Sequence, residues 1–408
     1  MSALTQTSTA WRNDAPTIGA VSLAHGLSHF AQLLVPPLFP WIGPAMGLSY
    51  VQLGTLLTAY YIVSCTAQTL AGFVVDRFGA RRVLFGGLAC LVLAMAGLAL
   101  AGSYPMMMAC MVLAGLGNSV FHPVDFSILN HRVNAARLGH AYAAHGISGN
   151  LGWALAPLFV VALTQATGSW RGALLASAAL IAAVLIVLAL VRTHLQVAAA
   201  PAGAPGAAAA SGLGFLRLAA VWMCFAFFLF NALALGGVQS FAPAAAAALH
   251  GLQVQQMALC LSAYMLASAA GMVVGGHLVR DQQRSATVAG WGFGCAAAVA
   301  LVIGLGQWPA WAVPGLFGAM GLSSGIAGPS RDLLVKRATP EGATGRVYGV
   351  VYSGLDVGMA IGAPIFGALM DAQQFRAVWV AIAIALLCMV ASGFDVRRRG
   401  RSALAPAH

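Results

Sequence analysis

Charge is scarce in this sequence. Only 7% of its 408 residues are Asp, Glu, Lys or Arg, while 60% are hydrophobic and the mean hydropathy is +0.86. A soluble domain carries about 25% charged residues, so a water-facing surface cannot be built from this chain. Signatures of enzyme chemistry are missing as well: there is no G-x-S-x-G, no H-E-x-x-H and no acidic Mg²⁺ site. A membrane-embedded enzyme would need convergent groups of that kind. The seven cysteines, Cys65, Cys90, Cys110, Cys224, Cys260, Cys295 and Cys388, show no C-x-x-C spacing and read as small buried apolar residues. The amino-terminal region has Arg12 but no small-residue cleavage site after a short apolar core, so the first apolar segment is expected to stay.

What the chain has instead is apolar length. Runs of about twenty residues, enough to cross a hydrocarbon core of about 30 Å as helix, fall near 18–41, 51–75, 82–102, 105–129, 139–164, 170–191, 217–242, 253–279, 286–307, 309–334, 346–369 and 374–396. They are continuous rather than alternating and rich in Ala, Leu and Gly, which excludes a strand reading. The expected fold is an all-α membrane protein of twelve transmembrane helices. Internal similarity divides it. Tyr60 and Gly72 return as Tyr264 and Gly276, both 204 residues on, and Pro123 returns as Pro329. Such a period marks a duplication, giving two pseudo-symmetric six-helix bundles at 1–192 and 215–408. A Pro/Gly/Ala-rich linker, 193–214, joins them.

The formal net charge of +11 invites a nucleic-acid reading, but its distribution argues otherwise. With the amino terminus inside, only Arg171 and Arg376 of the 20 basic residues fall in outer loops. This is the positive-inside bias of a multi-pass protein of the cytoplasmic (inner) membrane with both termini cytoplasmic. The basic side then faces anionic lipid headgroups, and no nucleic acid is needed as partner.

The loop after the second span, Gly72-Phe73-Val74-Val75-Asp76-Arg77-Phe78-Gly79-Ala80-Arg81-Arg82, closely resembles the G-x-x-x-D-R-x-G-[RK]-[RK] motif of the major facilitator superfamily. With twelve spans in two halves, the resemblance covers the whole chain. Gly117-Asn118-Ser119-Val120-Phe121-His122-Pro123 and the His/Gln-bearing first span are similar to its fosmidomycin-resistance-type efflux branch. The resemblance implies that Gly72, Asp76, Arg77, Gly79 and Arg81 act as a gate latch. Asp76 would sit at the start of the eleventh helix, where free N–H groups favour an anion. Arg77 or Arg81 would pair with an acid at the end of the fourth, for which Asp125 is the candidate. In the second copy Arg280-Asp281 and Arg331-Asp332 would form a looser latch. Two departures stand out. Met111 occupies the position of an arginine found in many proton-driven antiporters of the superfamily, and Ala156-Pro157 replaces the G-P pair of the antiporter motif.

Ionisable groups within a span are costly, by roughly 2.5–3.5 kcal/mol at the centre. His25, His29 and Gln32 occupy i, i+4 and i+7 on the first span, and Asn118, His122 and Asp125 do so on the fourth; each set shares one helical face. They read either as interhelical hydrogen-bonding groups or as a substrate and proton site. For Asp125 the latch role competes with direct proton transfer. Asp356 is the mid-span carboxylate of the eleventh helix and the leading proton carrier, with Tyr348 and Tyr352 on the same face. His145 and Asn150 on the fifth span and Asn231 and Gln239 on the seventh complete the candidate lining. His25 and His29 have the spacing of metal ligands on a helix, but one pair is too few where three or more are usual, and no metal is expected. No mid-span Arg or Lys offers an anion clamp.

A receptor or scaffold would not need polar residues on several spans of both halves. The expected activity is therefore secondary active transport of a small molecule by alternating access, as a proton-coupled antiporter exporting a drug-like or amphiphilic compound. The alternative is proton-coupled uptake of a small metabolite. Substrate, protons and membrane lipids are the expected partners, with no cofactor, and the chain is expected to act as a monomer.

Overall fold

The computed structural model describes the backbone of residues 2–197, 219–278, 285–338 and 344–402, and the side chains of 14–135, 137–197, 221–278, 287–328 and 353–392. Every long element among these residues is helical. In chain order they are α1 (Ser2–Gln32), α2 (Phe39–Met46), α3 (Tyr50–Phe78), α4 (Ala80–Leu100), α5 (Tyr104–Asn118), α6 (Phe121–Arg132), α7 (Leu138–Thr167), α8 (Trp170–Leu190), α9 (Ala219–Ser240), α10 (Ala242–His250), α11 (Val254–Leu278), α12 (Ser285–Leu305), α13 (Val313–Ala338), α14 (Thr344–Asp371) and α15 (Phe375–Ser402). Eleven segments are long and apolar enough to cross a membrane, and Val313–Gly328 is a shorter apolar helix. Together they account for the twelve expected spans.

Two of those spans are interrupted, and proline explains each interruption. The first span divides between α1 and α2 at Pro36-Pro37. The fourth divides at Ser119–Val120 because Pro123 has no N–H to return to the Ser119 carbonyl. Just past the seventh, the chain turns at Phe241, two residues before Pro243. Pro329, the repeat partner of Pro123, lies inside the unbroken α13. The duplicated copies therefore differ in backbone where the first carries its densest polar group.

The chain packs as two compact units, residues Met1–Leu38 with Ile62–Ala208, and Phe39–Tyr61 with Ala209–His408. Within the first, α1 packs on α7, and α4 on both α5 and α8. Within the second, α9 packs on α14, and α12 on both α13 and α15. These pairings are equivalent, so the duplication read from the sequence extends to how helices meet. Close approach is made by absent side chains: a Cβ on Gly152 of α7 would run into the Gly26 carbonyl of α1, and one on Gly358 of α14 into the Leu229 carbonyl of α9. In the second unit the first turn of α3 is capped by Asp371, whose two carboxylate oxygens accept from the N–H groups of Tyr50 (2.7 Å) and Val51 (2.9 Å).

Charged residues near helix ends also find partners. Arg171 donates to the terminal carbonyls of α4, Ala99 at 2.7 Å and Ala101 at 2.8 Å, while stacking on Trp170. Arg137 pairs with Asp14 at 2.6 Å. The expected linker begins as a packed turn: Arg192–Leu195 is a 3₁₀ helix with Leu195 buried, and the rest of 193–214 past residue 197 lies outside the described residues.

Candidate functional site

Three helices of the first unit converge on one carboxylate. Asp125, on α6, is completely buried, and its Oδ2 lies 3.1 Å from His25 Nδ1 of α1 and 3.1 Å from His145 Nε2 of α7. His25 is 2% and His145 6% exposed. The two imidazoles stack with centroids 3.4 Å apart, and Asp125 Oδ1 has no hydrogen-bond partner among the described residues. An ionised carboxylate only accepts, so with Asp125 ionised each histidine directs an N–H at Oδ2.

Around this core the other imidazoles close in. His29 lies one turn along α1, with its ring 4.4 Å from that of His25, and stacks on Trp153 of α7 at 4.1 Å. Trp153 Nε1 donates to Gln32 Oε1 at 3.1 Å. The ring of His122 is 5.2 Å from His25 and 6.2 Å from His145, and the residue is exposed at the surface of the unit. Four histidines, one carboxylate and one glutamine thus come from α1, α6 and α7.

Sequence and local structure account for the convergence. The i, i+4, i+7 spacing turns His25, His29 and Gln32 toward α7, and the contact between Gly26 and Gly152 lets the two backbones meet there. Gly149 leaves room for the rings: a Cβ at that position would lie 2.7 Å from His29 Nδ1 and 3.0 Å from His25 Nε2. The break before Pro123 starts α6 afresh, so that Asp125 and His122 enter the cluster from its first turns.

The Major Facilitator Superfamily profile matches residues 21–353. The chain belongs to that superfamily. It is 27% identical over 261 residues to the fosmidomycin resistance protein of Escherichia coli (strain K12), a match covering 64% of each chain. It is 28% identical over 155 residues to the uncharacterized MFS-type transporter YfnC of Bacillus subtilis (strain 168), covering 38% of each. The chain thus spans less than two thirds of either relative. Its fold is similar to that of a bacterial homologue of the human lysosomal transporter Spinster (TM-score 0.78, 15% identity, 97% of this chain and 99% of that one). It is similar also to that of the nucleoside transporter NupG (TM-score 0.76, 12% identity, 93% and 99%). Family and apolar helices together make it a multi-pass membrane protein.

Within this major facilitator chain, one expected pairing is corrected. Asp125 does not pair with Arg77 or Arg81; its carboxylate is enclosed by imidazoles because α6 turns it toward α1 and α7. Arg81 instead donates to Gln196 Oε1 at 3.1 Å, and Arg77 lies over the Phe78 ring at 5.3 Å. Asp76, Arg77 and Gly72 are exposed. Gly79 has φ +83° where α3 turns into α4, a conformation that glycine adopts without a Cβ penalty. Arg280 and Asp281 lie outside the described residues, as do the side chains of Arg331, Asp332 and Tyr352.

Other candidates stay apart from the histidines. Asn118 donates to Ser64 Oγ at 3.0 Å and Asn150 to its own helix at Gly146 O, 3.0 Å. In the second unit, Asn231 and Asp356 are half-buried, with Asp356 in electrostatic reach of Tyr60. Gln239 is 2% exposed with neither amide atom bonded among the described residues. Trp153 is the site residue that sequence reasoning missed; the available signal was its place four residues after Gly149 on a small-residue face.

Proposed function

We propose that this chain is a proton-coupled secondary transporter of the cytoplasmic membrane, with both termini cytoplasmic, that exports a drug-like or amphiphilic compound. The observation carrying the proposal is the buried Asp125 with imidazoles of two other helices on one of its oxygens. A carboxylate and imidazoles in hydrogen-bond contact form a group that can take up and release a proton, and ionisable groups inside a membrane bundle are expensive unless used. Protonating Asp125 removes the charge that both N–H donors address. That loosens α1 and α7 from α6 together, which ties proton occupancy to helix position. Differential affinity of this kind lets a gradient drive alternating access.

Export is supported by two relatives, the fosmidomycin resistance protein and, over 155 residues at 28% identity, a multidrug resistance protein B homolog of Mycobacterium tuberculosis. The arginine found in many proton-driven antiporters is Met111 here, so the coupling role passes to Asp125, with Asp356 as the carboxylate of the second unit. The test is transport by the full chain in proteoliposomes, with fosmidomycin and a panel of amphiphilic dyes. Asp125→Asn is expected to abolish pH-gradient-driven accumulation while leaving counterflow; undiminished uphill transport by this variant overturns the coupling role. Asp356→Asn, run in parallel, assigns the contribution of the second unit.

A further inference from the structure

The sequence offered one helical pair of histidines, too few for a metal; the fold supplies the rest. His25, His122 and His145, from three different helices, each present a ligand nitrogen, and these nitrogens all lie within 4.8 Å of one another. We propose that His25, His122 and His145 bind a divalent first-row transition-metal ion, with Asp125 as the carboxylate that orients two of the ligands.

Three observations carry this. The first is the arrangement of Asp125. Metal-ligating histidines characteristically give their second ring N–H to a carboxylate, which fixes the tautomer and raises ligand basicity. Asp125 Oδ2 receives His25 Nδ1 and His145 Nε2, each at 3.1 Å, so the lone pairs are left on His25 Nε2 and His145 Nδ1. Gly149 keeps the His25 Nε2 side free of a Cβ. The second is unanswered polarity. Asp125 Oδ1 is buried with no hydrogen-bond partner among the described residues. Buried polar atoms are seldom left so, and a cation in the cluster compensates the carboxylate. The third is access: His122 is exposed, so the cluster has the entry path that a metal site requires.

The donor set selects the ion. Imidazole nitrogens suit zinc, cobalt and nickel, whereas magnesium and calcium want oxygen ligands. Zinc–nitrogen bonds of about 2.0–2.1 Å need the three nitrogens closer than they now stand. The movement is of the order of 1 Å, the scale of a side-chain adjustment. The inference uses the cluster assigned above to proton coupling but does not depend on coupling or on direction, because binding is read at equilibrium without a gradient.

The test is metal binding by the purified full chain in detergent with no polyhistidine tag. Equilibrium dialysis with Zn²⁺ and Co²⁺ should show one ion per chain, and bound Co²⁺ should give the visible d–d absorption of a four- or five-coordinate nitrogen site. Excess Mg²⁺ should not displace it. His122→Ala should weaken Co²⁺ binding at least about 10-fold, and Asp125→Asn about 10- to 100-fold. His131→Ala, which removes an exposed histidine bonded to Ser127 O, should leave binding unchanged. Should His122→Ala aggregate on size exclusion, His122→Gln replaces it. The absence of stoichiometric binding, or binding that a folded His122 variant retains in full, overturns the proposal. Loss of metal binding with intact gradient-driven transport would separate this site from the coupling role, and the reverse would separate coupling from metal.

Discussion

The carboxylate of Asp371 accepts a 2.7 Å hydrogen bond from the backbone N–H of Tyr50, 321 residues earlier in the chain. Its other oxygen takes the next N–H, that of Val51. The first turn of a helix has free N–H groups and the positive end of the dipole, so one side chain at the end of α14 answers both for α3. Asp371→Ala should destabilise the protein by about 1 kcal/mol, in the range of a lost helix cap, with Asp371→Asn milder. Thermal unfolding of both variants in one detergent reads the difference; equal stability of Asp371→Ala and the parent would refute it.

Three glycines of α7 separate packing from site chemistry. Gly152→Ala places a methyl against the Gly26 carbonyl; backbone must move, at a cost of about 1–3 kcal/mol. Gly149→Ala instead meets the ring nitrogens of His29 and His25, which can shift. It should reduce transport and cobalt binding more than stability. Gly146→Ala meets nothing within 4 Å and should change neither. Unfolding midpoints and transport rates of the three, measured side by side, check the order.

Arg171 tests whether geometry or charge holds the end of α4. Its guanidinium binds two carbonyls and stacks on Trp170. Lysine keeps the charge but loses the planar fork, so Arg171→Lys should fall close to Arg171→Ala, each losing about 1–2 kcal/mol. A lysine variant as stable as the parent would show that charge suffices.

Trp153→Phe preserves an aromatic face for His29 but removes the donor to Gln32. We expect the variant to fold with near-parental stability, losing about 1 kcal/mol for one hydrogen bond, and to change substrate preference in the transport panel. An identical substrate profile would place Trp153 outside the substrate path.

Much of the architecture is legible in the residues because the membrane leaves few solutions. A hydrocarbon core demands about twenty apolar residues per helix, so the twelve runs stand out without any knowledge of contacts, and the duplicated motifs foreshadow the matching pairings of α1 with α7 and α9 with α14. The stripe of His25, His29 and Gln32 was equally readable, since helical periodicity alone aligns it. Which groups that stripe would meet was not. Asp125 belongs with His25 and His145 because Pro123 breaks the fourth span and because Gly26 touches Gly152, and both are matters of how helices seat against each other. Trp153 carried no polar signal, and its partner, His29, lies on another helix. The proposed metal ligands were not legible for the same reason: His25, His122 and His145 come from three spans, and the helical pair of His25 and His29 supplies only one of them.

His25 and His145 give their protons to the same oxygen, and that has a consequence for inheritance. When either imidazole is replaced, the survivor gains sole use of Oδ2 and can shorten its bond. The losses are therefore not independent. Removing both should cost more than the two single losses added together, and the first substitution to arise raises the cost of the second. A lineage that loses one of these histidines is thus held more firmly to the other, so loss of one should be met more often than loss of both.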